Sequence, residues 1–118
     1  MELTAKQQGY VIQALAESSR RMKSNADLIG ARKLRITLQR AMMVKHLDLF
    51  FEAFDEEQLF LIAQALEETA ELRQIFASRF DAEMMRETAI VVRAAKEQRE
   101  AEWIHSRFQE GIAFEAAI

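Results

Sequence analysis

The 118-residue chain has no proline and only three glycines. These two residues are the strongest local interruptions of regular structure, so few loops are expected. Cysteine is also absent. That excludes disulfides, thiolate metal sites and a cysteine nucleophile together. Beta-branched residues never alternate over a strand's length, so the main strand signal is missing. No apolar run approaches the roughly 18 residues of a membrane-spanning helix. Met1 to Tyr10 lacks the apolar core of a signal peptide. These absences predict a cytoplasmic protein with no membrane span.

Ala, Glu, Arg, Leu, Gln and Met dominate what is present, and all favour helices. Apolar residues make up 50% and charged residues 30%, a balance that folds and does not stay disordered. The length suits one domain, residues 1–118. The predicted fold class is all-α. Its architecture is a four-helix up-and-down bundle or an elongated helical hairpin assembly, self-associating in either form.

Four helix starts can be read from capping chemistry. Thr4 with Gln7 has capping-box spacing. Ser24 or Asn25 precedes the second start, with Asp27 in its first turn. Asp55 leads into Glu56, Glu57 and Gln58, placing anions at the positive end of the helix dipole. Asp81 with Glu83 repeats that pattern. The helices predicted from these signals run about 5–23, 26–53, 56–79 and 82–110. Gly111 then reads as a stop before a short apolar tail, 111–118. Gly30 fits either a mid-helix position or the end of a turn from Ser24.

Each segment carries apolar residues at helical spacing. The first has Leu3, Val11, Ala14, Leu15, Ser18 and Met22. The second has Ile36, Met43, Leu47, Phe50 and Phe54, widened by Leu34, Leu38, Ala41 and Met42. The third has Leu59, Ile62, Ala63, Leu66, Thr69, Phe76 and Phe80. The fourth has Met84, Met85, Ala89, Val92, Ala95 and Trp103. Between Leu47 and Ile62 the chain is more apolar than one packing stripe needs. A helix apolar on several faces needs several partners, so either a dimer seam or partner groove, or a Phe-rich core around one tight inter-helix corner, is expected there.

Charge is divided between the halves. Residues 1–46 hold nine Lys/Arg against three Asp/Glu, and residues 47–118 hold seven against sixteen. Such asymmetry marks either a nucleic-acid face or mutual attraction between halves, within one chain or between copies.

Catalytic constellations are missing. There is no Gly-x-Ser-x-Gly elbow and no Gly-rich phosphate loop. The adjacent carboxylates, such as Glu56/Glu57 and Glu67/Glu68, are expected to be solvated. Glu102 and His105 form one Glu-x-x-His, but a di-iron bundle site needs two, and His46 has Met43 in the required position. No metal, cofactor or small-molecule substrate is implied, and no enzyme activity is expected.

The predicted function is non-catalytic protein–protein interaction, as an adaptor, chaperone, inhibitor or regulatory subunit. The partner is a protein, including a second copy of the chain as a homodimer. The candidate anchors are Phe50, Phe51, Phe54, Phe60, Trp103 and Phe114. The alternative is a nucleic-acid-binding regulator using Arg32, Lys33, Arg35, Arg40 and Lys45. The first two helices would then form a helix–turn–helix. A basic amphipathic stretch over residues 32–54 also suits an anionic membrane surface, but the acidic second half opposes that.

Overall fold

The computed structural model describes the backbone of residues 2–117 and the side chains of residues 2–105. The described chain is all-helical. The elements are α1 (Ala5–Ser24), α2 (Leu28–Met43), a 3₁₀ helix η1 (Leu47–Ala53), α3 (Glu56–Phe76) and α4 (Arg79–Ala117). Among the described residues, no helix is long and apolar enough to cross a membrane.

Two of the predicted caps form as read. The Thr4 hydroxyl accepts from the Gln7 amide at 3.1 Å, and the Gln7 side chain accepts from the Thr4 amide at 3.0 Å. Asp55 and Gln58 repeat this reciprocal box at 2.7 and 3.0 Å. The other two starts shift. Asp27 is itself the N-cap of α2, accepting from the Gly30 amide at 2.9 Å. Gly30 is therefore the third residue of α2, and a Cβ there would crowd the capping carboxylate at 2.6 Å. At α4, Ser78 accepts from the Asp81 amide at 3.3 Å, one turn earlier than expected.

The predicted helix 26–53 is two elements. α2 ends at Met43, Val44 and His46 are extended, and η1 follows. The break has a tertiary cause. Gln8 of α1 donates to the carbonyls of Ala41 and Val44, both at 3.0 Å, satisfying groups that every helix end leaves open. The expected stop at Gly111 does not occur, because α4 continues to Ala117.

α1 and α2 form an antiparallel hairpin, with Gln8 beside Ala41 and Ser19 beside Ala31. α1 also runs against α3 in the opposite sense, through Glu17–Arg73 and Arg21–Thr69. α3 and α4 form a second hairpin, tied by Glu67–Arg93 and Gln74–Arg86. α3 lies between α1 and α4, and so buries a wide band that includes Leu59, Ile62, Ala65, Leu66 and Ala70. One continuous core joins all five elements, from Leu3 through Phe50 to Ala95. At roughly 25 cal/mol per Å² of apolar area, this band is the main driving force for folding.

Two stripes differ from expectation. α2 buries Ala31, Leu34, Thr37 and Ala41, while Ile36, Met42 and Met43 face outward. Thr37 tolerates burial because its hydroxyl donates to the Lys33 carbonyl at 3.0 Å. Phe76 and Phe80 lie exposed at the α3–α4 corner. Lys6 sits over the Phe80 ring at 5.3 Å.

Candidate interaction surface

The phenylalanine cluster belongs to the interior. Phe50, Phe51 and Phe54 are buried. Phe50 meets Phe51 edge-on at 5.7 Å and Phe54 at 5.0 Å, within the range where aromatic pairs attract. α4 holds this segment in place, as Arg99 donates to the carbonyls of Phe51, at 2.6 Å, and Phe54. The expectation that these three rings anchor a partner is therefore corrected, because they present no surface to one. η1 breaks off from α2 and turns Phe50 and Phe51 inward, which absorbs part of the apolar excess between Leu47 and Ile62, while Leu49 and Phe60 stay exposed.

Phe60 and Trp103 are accessible, at 42% and 57% of full exposure. The structure does not bring them together with the phenylalanine cluster. Phe60 has Arg93 and Lys96 over its ring at 5.9 and 6.0 Å, so cations already roof it. Trp103 stands on the part of α4 where Ala101 to His105 are all exposed. Phe114 lies outside the described side chains. Glu102 and His105 are both exposed. No group of three or more His, Asp or Glu side chains suited to a metal occurs among the described residues.

The surface that the structure does assemble is the outer face of α2. Ile29, Ile36 and Met43 recur every seven residues and are 75%, 47% and 76% exposed. Lys33 and Arg40 lie between them on the same face. At 1.5 Å per residue the stripe runs about 21 Å. Ile36 separates two shallow depressions. One is lined by Gln39, Arg40, Met43 and Val44. The other leads through Thr37 to Asp55, Gln58 and Leu61 of the α3 end. α2 contains Arg32, Lys33, Arg35 and Arg40 and no acidic residue. The helix therefore has one apolar face against α1 and a second, basic-apolar face in solvent.

The five predicted basic residues are all exposed. Two are engaged within the chain. Lys33 pairs with Glu57 at 2.9 Å, and Arg40 donates to the Ala53 carbonyl at 3.1 Å. Arg32 and Arg35 lie on the solvent side of the helix. α1 and α2 pack alongside one another over most of their length, whereas helix–turn–helix pairs cross at roughly 90–120°. Sequence reasoning missed this face by placing Ile36 and Met43 on one stripe with Phe50 and Phe54 and passing over Ile29. A signal was available, because apolar positions on α2 fall into two stripes, one mostly of small residues and one flanked by cations.

A third feature is a polar depression lined by Lys6, Gly9, Tyr10, Gln13, Arg73 and Asp81. Tyr10 donates to Asp81 at 3.2 Å. Burial pushes the phenol above its ordinary value, and the hydrogen bond and charge of Asp81 add to that. The group is held protonated, as a hydrogen-bond donor. No family model matches the sequence, no curated protein matches it, and no solved structure matches the chain. The class that remains defined is an all-helical chain with an open basic-apolar helix face.

Proposed function

We propose that the chain is a non-catalytic protein-interaction module that docks a partner helix on the outer face of α2. The observation carrying this reading is the exposed Ile29–Ile36–Met43 stripe, with cations on both sides and no anion in the helix. Interfaces draw most of their energy from a few apolar anchors, while surrounding charges set orientation and partner choice. Ile36, seated between two depressions, is the central anchor.

The three groups with shifted values, Tyr10, Glu67 and Arg93, fit a non-catalytic role. General acid–base catalysis wants a group poised near neutral pH. Here Tyr10 is pushed up by burial. The Arg93 hydrogen bond holds the Glu67 carboxyl below its ordinary value, and Arg93 is pushed up in return. All three are driven further into the charge state they hold at neutral pH. Of the two expected architectures, we favour the elongated helical hairpin assembly. The chain extends 61 Å along its long axis against 31 and 26 Å across, and self-association belongs to this reading.

A photoreactive residue placed at Ile36 tests the proposal in the organism. A saturable protein adduct, lost when Ile29 and Met43 are changed to Asp, is the expected result. Adducts only to nucleic acid, or none, would overturn it. The nucleic-acid reading keeps one supporting feature, the solvent-facing Arg32 and Arg35. It predicts binding that weakens steeply with salt.

A further inference from the structure

Resting on that reading, we infer that the helix docked on α2 is the projecting end of α4 from a second copy of this chain. α4 has 39 residues and its hairpin partner α3 has 21, and the Glu67–Arg93 and Gln74–Arg86 pairs set the start of α3 at Glu56 opposite residue 104, so α4 outruns α3 by about thirteen residues at this end. Packing thins before the overhang begins. Ala95 is the last buried residue of α4 among those described, Arg99 reaches back to η1, and every residue from Ala101 to His105 is exposed.

The overhang complements α2 in charge, chemistry and length. From residue 97 onward the sequence carries Glu97, Glu100, Glu102, Glu110 and Glu115 against Arg99 and Arg107, and Glu100 is already paired with Lys96. α2 carries four cations and no anion. Ile104 supplies an exposed apolar side chain among these acids, and the sequence continues with Phe108 and Ile112. Residues 101–115 span about 21 Å as helix, the same as Ile29 to Met43.

The overhang cannot serve its own α2. α4 is one continuous helix with no break after it passes η1, so its end is directed away from the body and cannot fold back. A second copy can receive it. Each copy offers one overhang and one α2 face, and reciprocal exchange, which closes as a twofold dimer, is proposed over a head-to-tail chain. The docked face is a helix-in-groove site whose acidic occupant faces Arg32 and Arg35 on the rim and Ile36 at the centre.

The purified 118-residue chain tests this by sedimentation across low to high micromolar concentration. A dimer is expected, with its dissociation constant rising with added salt. Trp103, the sole tryptophan, should move to shorter emission wavelengths and lose access to a quencher as the dimer forms. R32E/R35E should weaken the dimer at least tenfold, as should E97K/E102K. The protein carrying all four changes should recover most of the affinity. These positions are all exposed, and circular dichroism confirms that each variant folds. A monomer throughout that range would overturn the dimer, as would a dimer indifferent to I36D. If the Ile36 photoadduct then identifies a different protein, the interaction module stands and only the second-copy occupant fails.

Discussion

The side-chain amide of Gln8 donates to the carbonyl of Val44, 36 residues away, at 3.0 Å and to that of Ala41 at the same distance. One glutamine on α1 thereby ends α2. Replacing Gln8 by Ala leaves two partly buried carbonyls without this donor. The expected loss is about 1–3 kcal/mol, although Ala is the better helix former. Gln8→Glu should be at least as damaging, since a carboxylate facing two carbonyls can only accept. Urea midpoints measure both. A Gln8→Ala protein as stable as the parent would mean that the helix end is set elsewhere.

This contact also marks where sequence reasoning ends. The capping boxes at Thr4–Gln7 and Asp55–Gln58 are legible because both partners lie within one helical turn. The break after Met43 is not, because its cause sits on another helix and no glycine or proline marks it. Without the break, the phase of Phe50 and Phe54 projects back onto Ile36 and Met43 and merges them into one stripe. The true α2 stripe is hard to see because it is built from Ala31, Thr37 and Ala41 with a single large residue, Leu34. The same error hides the candidate surface. Buried phenylalanines are credited to a partner, Ile36 is placed on their stripe, and Ile29 is passed over.

Arg99 is the second long-range determinant. Its guanidinium donates to the carbonyls of Phe51 in η1 and of Phe54 just after it, and ties the aromatic segment to α4. Hydrogen bonds from a charged donor contribute about 1.5–3 kcal/mol. Arg99→Met should lose about that much and speed amide exchange in Leu47–Ala53 more than in α1. Arg99→Lys should recover only part, because an ammonium lacks the two-pronged geometry that spans both carbonyls. Equal exchange rates in η1 and α1 after the substitution would remove Arg99 from this role.

Tyr10 and Asp81 give the fold an alkaline limit. The Tyr10 phenol titrates above its ordinary value in the folded chain, so it favours folding while protonated. That contribution is complete below the unfolded value of 10.0. It is lost as pH rises through the folded value, where the ionised phenol must sit buried beside a carboxylate. Tyr10→Phe should cost about 0.5–3 kcal/mol at neutral pH through the lost hydrogen bond. The gap between the two proteins should then narrow above pH 10, since only the parent pays for ionising a buried phenol. Denaturation series on both proteins through neutral and alkaline pH measure the gap. A gap that stays constant or widens in alkali contradicts the assignment.

The turn between α1 and α2 carries an avoidable cost. Ala26 has φ 61°, the only positive value at a non-glycine among the described residues. The conformation is needed for the turn. The Ala26 amide donates to Lys23 and the Asp27 amide to Met22, closing α1 and delivering Asp27 to its capping position. Left-handed backbone costs an L-residue about 1–2 kcal/mol. Glycine avoids this but carries about 0.5–1 kcal/mol of extra chain entropy. Ala26→Gly should therefore be a net gain of up to about 1 kcal/mol, raising Tm by a few degrees. Ala26→Val should move the other way, because a β-branched residue tolerates positive φ poorly. Thermal melts of the two variants beside the parent give the answer. Since Ala26 lies outside the α2 stripe, neither substitution should change the dimer affinity compared at a temperature where all three are folded.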